Sequence, residues 1–141
     1  MLICGSDLLA SLRDGSLPPA EFNHTNHLRA AWLILHDHPL PEAAEEFRAV
    51  LQAYVRRLGA EDKFHRTLTD ALLYLLRDRM TQCPGDWPAF QARNPDLFEN
   101  AKSLLARHYS PVRLDSAEAR MRFVEPDREP LPHPAQGTAK R

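Results

Sequence analysis

The sequence predicts an all-α fold, a compact helical bundle of about five main helices with short extra turns and an irregular, proline-rich C-terminal tail. Two observations carry that prediction. No apolar/polar alternation of period two persists over a strand's length, whereas apolar residues recur at i, i+3, i+4 and i+7 through several long stretches. Residues that start and stop helices then bracket those stretches.

A first helix spans about Asp7 to Arg13 and ends at Asp14-Gly15, and Leu17-Pro18-Pro19 makes a rigid connector. The second runs from Asn23, a side-chain N-cap, to His36, with His38-Pro39 as its stop. The third has the clearest ends. Pro41 suits its first position, Glu42, Glu45 and Glu46 its positive end, Arg56 and Arg57 its negative end, and Gly59 the C′ site. Its buried stripe is Ala43, Phe47, Val50, Leu51, Tyr54 and Leu58. The fourth covers about Lys63 to Met80 behind an Asp62 cap, with the stripe His65, Leu68, Thr69, Leu72, Leu75 and Leu76. CPGDWP forces a turn, and a short helical piece follows from Trp87 to Arg93. Asn94-Pro95 opens a helix to about His108 with Leu97, Ala101, Leu104 and Leu105 inward. Ser110-Pro111 and Asp115-Ser116 begin two further short turns, the second ending near Phe123. The expected division is one helical domain over 1–124 and an irregular tail over 125–141, draped over the surface and loose at its end.

Bulk composition narrows the function classes. At 141 residues the chain is long enough to bury a core without staples, and 43% hydrophobic with 26% charged residues is ordinary globular composition. Eighteen basic and nineteen acidic residues give a net charge of −1, without the basic patch of a nucleic-acid or anionic-membrane binder. Cys4 and Cys83 make neither a metal knuckle nor a disulfide framework. MLICGSDLLASL is interrupted by Asp7 and lacks a basic leading region, so it does not read as a signal peptide. No stretch approaches the ~20 apolar residues of a membrane span, so a cytoplasmic location is expected. With five glycines there is no phosphate-binding loop, dinucleotide fingerprint or nucleophile elbow, and no CxxCH for haem attachment.

Seven histidines are an enrichment, and two of them raise a chemical question. In EFNHTNHLRAAW, His24, His27, Leu28, Ala31 and Leu35 share one helical face, so two imidazoles head an otherwise apolar stripe. Side chains three residues apart on a helix are neighbours and can converge on one ion. His65 begins the inward stripe of the fourth helix and is the natural third ligand. Three neutral histidines with open positions describe a catalytic rather than a structural metal site. The alternative is buried histidines satisfied by carbonyls or carboxylates. Glu46 and Asp70 are candidates for ligand, general base or orienting acceptor, although a helix-dipole role and a solvated role respectively suffice for them. Thr69, one turn past His65, can bond substrate, a ring nitrogen or its own backbone four residues earlier. His36 and His38 suit a helix C-terminus, His108 a cap, and His133 lies in the tail. Phe22, Trp32, Tyr54, Phe64 and Trp87 can wall an apolar pocket or simply fill a core, and Arg29 and Arg66 can clamp an anion or stay solvated.

Several segments together form a pattern: LxxGxLPPxxFNHxxHLRxAW, KFHxTxT, NPxLF, HYS and LDSxxARxxFVxPDxxPLP. From about Leu8 to Pro132 it resembles a group of small, largely uncharacterised bacterial helical proteins marked by FxHxxHLRxAW and K(Y/F)HxTxT segments. Those marks fall here on His24, His27, Lys63, Phe64, His65, Thr67 and Thr69, with Phe64 where tyrosine is more usual. The resemblance supports a site at these residues and supplies no reaction. A looser architectural likeness is to DinB/YfiT-like bundles, which hold one metal with three histidines.

The expectation is therefore a small metalloenzyme. His24, His27 and His65 would hold one divalent transition metal (Zn, Fe, Cu or Ni), with Thr69, Asp70 and Glu46 near the chemistry. Its substrate would be a small organic molecule, and its work metal-assisted oxidation or hydrolysis/lyase chemistry. The alternatives are a non-catalytic ligand- or metal-binding accessory protein and a structural domain with core histidines.

Overall fold

The computed structural model describes residues 5–132; Cys4, His133 and the remainder of the expected tail lie outside the described residues. The fold is all-α. Among the described residues there are nine α-helices and no strand, and five of the helices have seven residues or more. None of the helices is long and apolar enough to cross a membrane. The chain divides into two compact units, Met1–Phe64 and His65–Arg141.

The N-terminal unit contains α1 (Gly5–Asp14), α2 (His24–Asp37) and α3 (Leu40–Arg57), each packed against the other two. Their apolar stripes meet in a core that includes Leu8, Leu12, Leu28, Ile34, Leu35, Phe47, Leu51 and Tyr54. Gly15 takes φ +82° at the end of α1, and the Arg57 side chain lies where a Cβ would project. The connector after it is anchored from the core: the Tyr54 hydroxyl donates to the Leu17 carbonyl at 2.6 Å. A 3₁₀ turn at Pro19–Glu21 leads into α2, where the Asn23 side chain caps the Asn26 N–H at 2.9 Å. At the far end of α3, Ala60 N–H bonds the Val55 carbonyl and Gly59 N–H the Arg56 carbonyl. This is a Schellman closure with Gly59 at φ +68°. Leu58, expected on the buried stripe, is instead 42% exposed, because it lies past the last helical residue as the C-cap.

The C-terminal unit contains α4 (Arg66–Gln82), α5 (Trp87–Arg93), α6 (Pro95–Glu99), α7 (Ala101–Ala106), α8 (Pro111–Leu114) and α9 (Ala117–Met121), with α4 packed on α9. Two boundaries differ from expectation. Lys63 does not belong to α4: Glu61–Lys63 is a separate 3₁₀ helix, and α4 starts at Arg66 with His65 as its N-cap in place of Asp62. The helix expected from Pro95 to His108 is broken at Asn100 (φ −133°, ψ 37°), whose N–H closes α6 on the Asp96 carbonyl. Asparagine is a weak helix former, and its backbone here ends one helix and begins the next. Arg79 braces this region with a forked pair to Asp96 at 2.9 and 2.8 Å and a bond to Asn94 Oδ1 at 2.8 Å. That pairing holds the Asp96 carboxyl below its ordinary range.

After α9 the chain is irregular but strapped down. Arg128 and Glu129 N–H groups bond the carbonyls of His108 and Arg107, and Ser110 donates its N–H and its hydroxyl to Asp127. Tyr109, fully buried, donates its hydroxyl to the Val124 carbonyl at 2.7 Å, and burial pushes its ionisation upward.

Candidate functional site

His65 is built into the backbone. Its Nδ1 accepts from Leu68 N–H at 3.0 Å, capping α4, which fixes the neutral tautomer that carries its proton on Nε2. Nε2 then donates to the Leu114 carbonyl of α8 at 2.8 Å. Both ring nitrogens are spent on main-chain groups.

The rest of the KFHxTxT segment behaves alike. Thr69 is buried and returns its hydroxyl to the His65 carbonyl at 2.7 Å, the local back-bond its side chain permits. Thr67 is fully buried, donates to the Arg122 carbonyl at 2.8 Å and accepts from Val124 N–H at 3.1 Å. Between those partners the LDSxxARxxFV segment supplies Leu114 to His65, Ser116 as the N-cap of α9, and the backbone of Arg122 and Val124 to Thr67. The two segments form one interlock holding the start of α4 to α8 and to the strand of chain leaving α9. Thr67, which the sequence marked only through the KFHxTxT resemblance and gave no individual role, serves the packing of this unit.

Asp70 is buried rather than solvated and accepts from Arg66 Nε at 2.9 Å. Glu46 is paired with Arg13 of α1 at 2.7 Å, with both side chains well exposed. Arg66 and Glu46 are each engaged in an ion pair. His36 packs on Trp32 in the last turn of α2, His38 is the C-cap of that helix, and the His108 Nδ1 bonds the Glu129 carbonyl at 2.9 Å. The aromatic candidates are scattered: Trp87 meets Phe90 and Phe98 in the C-terminal unit, whereas Phe22 and Tyr54 meet in the N-terminal one.

His24 and His27 are placed differently. His24, the first residue of α2, is exposed. His27 lies on the same helix among aromatic rings. Phe22 is stacked parallel to it with centroids 5.5 Å apart and planes within 8°, and Phe47 of α3 is tilted against it at 5.3 Å. Tyr54 meets Phe22 edge-on at 5.2 Å. The residue as a whole is half-buried, yet its Nε2 is sealed from solvent and finds no hydrogen-bond partner among the described residues. Loss of hydration, and secondarily the neighbouring His24 charge, pushes the His27 imidazole down to about 4. At neutral pH it is an uncharged ring with one donor and one acceptor nitrogen.

The expected three-histidine metal centre is not formed. Among the described residues no group of three or more His, Cys, Asp or Glu side chains could hold a metal ion. The physical reason is clearest at His65, where capping and the Leu114 bond leave no lone pair for a cation. The metalloenzyme expectation is corrected accordingly. In comparisons with protein-family models, curated proteins and solved structures, the chain matches none.

Proposed function

We propose that the chain is a non-catalytic binding module whose N-terminal unit takes a small neutral ligand at His27. The observation that carries this reading is the sealed, unpartnered Nε2 between Phe22 and Phe47. A buried polar atom left unpaired costs about 1–3 kcal/mol, and a partner for it recovers that. Water is a poor partner here, because an ordered interior water needs two to four polar contacts. The two rings packed on His27, Phe22 and Phe47, supply none of those contacts. A molecule with an apolar body and one polar group suits such a lining. An uncharged imidazole favours neutral over anionic ligands. A cytoplasmic location belongs to the same reading.

The test is calorimetric titration of the full chain with phenol, against His27→Phe. The reading expects saturable binding to the wild type that weakens at least tenfold in the folded variant. Equal binding by both, or none by the wild type, would overturn it. The last result would leave His27 as core filling, in line with the structural use of His65 and Thr67.

A further inference from the structure

A ligand can reach a sealed nitrogen only if something moves, and the two rings packed on His27 differ in what holds them. Phe47 is 1% exposed in the middle of α3, with helix on both sides and core around it. Displacing it would open the center of the three-helix packing. Phe22 is half-buried and belongs to no helix. It is the residue between the 3₁₀ turn at Pro19–Glu21 and the Asn23 cap, with φ −90° and ψ 63°. Its ring is held by stacking on His27 and by the edge of Tyr54. Both flanks are fixed independently of that ring: Leu17 by the Tyr54 hydroxyl, and Glu21 by the Asn26 amide. The side chain can therefore swing on χ1 while the connector and α2 stay in place.

Resting on the binding reading above, we infer that Phe22 is a movable lid over His27, whose outward swing opens the ring to a neutral ligand that brings a single hydroxyl or amide to the edge of the ring at Nε2. Phe47 stays as the fixed wall.

The lid can be tested without a ligand by acylating histidines with diethyl pyrocarbonate and following each site by peptide mass spectrometry. Neutral imidazole nitrogens react only when reached by the reagent. In the wild type, His27 is expected to react at least tenfold more slowly than the exposed His24. Phe22→Ala should raise the His27 rate at least tenfold with His24 unchanged and the circular dichroism spectrum retained. Phe22→Leu should fall between the two, and keeps the test usable if the alanine variant unfolds. A wild-type His27 as reactive as His24, or no acceleration in folded Phe22 variants, would overturn the lid. Phenol added to the Phe22→Ala protein separates the two ideas. Faster acylation without phenol binding retains the lid and removes the ligand.

Discussion

The His27 imidazole, packed against Phe22 and Phe47, loses hydration on folding, and the cost of that loss falls on its protonated form. The imidazole drops from 6.5 to about 4 on folding, so below pH 6.5 the unfolded chain takes up a proton that the folded one refuses. The resulting penalty is absent at pH 7, grows as pH falls from 6.5 towards 4, and levels off below that. The full gap is worth up to about 3 kcal/mol. Urea midpoints at pH 7 and pH 4.5 should therefore fall further for the wild type than for His27→Phe, and equal losses would contradict the assignment. Thr67 makes a second prediction at this scale. Thr67→Val keeps the shape but strands the Arg122 carbonyl and the Val124 N–H, at a cost of about 1–3 kcal/mol. Thr67→Ser keeps both bonds and should lie close to the wild type in denaturant titration.

For the helices, legibility depended on whether an end was made by local chemistry or by a distant partner. The α3 terminus at Gly59 and the Asn23 cap of α2 were readable because their bonds run to residues a few positions away. The start of α4 was not. Asp62 is the commoner cap type, and nothing local announces that His65 will cap instead while reaching Leu114, 49 residues on. The same long reach misdirected the site: His65 stood out as chemistry, and its two bonds made it architecture. His27 was legible as anomalous, since an imidazole on an apolar stripe needs an explanation, but its aromatic enclosure comes from α3 and the connector. His65→Ala is expected to cost about 1 kcal/mol for the cap, with a further loss from the freed Leu114 carbonyl. His65→Asn should restore the cap share. The loss should be the same with and without EDTA; a chelator-dependent difference would reopen the metal question. Gly15→Ala should destabilise by about 1 kcal/mol or more, since φ +82° strains alanine and its Cβ would collide with Arg57.

Across the whole molecule the motif segments divide by unit. KFHxTxT, HYS and LDSxxARxxFVxPD are consumed in holding the C-terminal unit together: His65 to Leu114, Thr67 to Arg122 and Val124, Tyr109 to Val124, Ser110 to Asp127. The N-terminal unit keeps the one histidine nitrogen among the described residues that is sealed and unpartnered. Histidine side chains that looked alike in the sequence are thus used differently, His65 with both ring nitrogens bonded to main chain and His27 with its Nε2 sealed and unpartnered. The all-α class and the order of the long helices followed from periodicity and caps. The division of labour between the units did not, because it depends on pairings 15 to 57 residues apart.

The most direct test is a long-range ¹H–¹⁵N spectrum of histidine-labelled protein at pH 7, recorded while phenol is added. The account predicts a neutral His27 whose Nε2 resonance moves saturably, while the His65 nitrogens keep the Nε2–H tautomer throughout. A His27 ring that ignores phenol, or a response that appears at His65 instead, would contradict it.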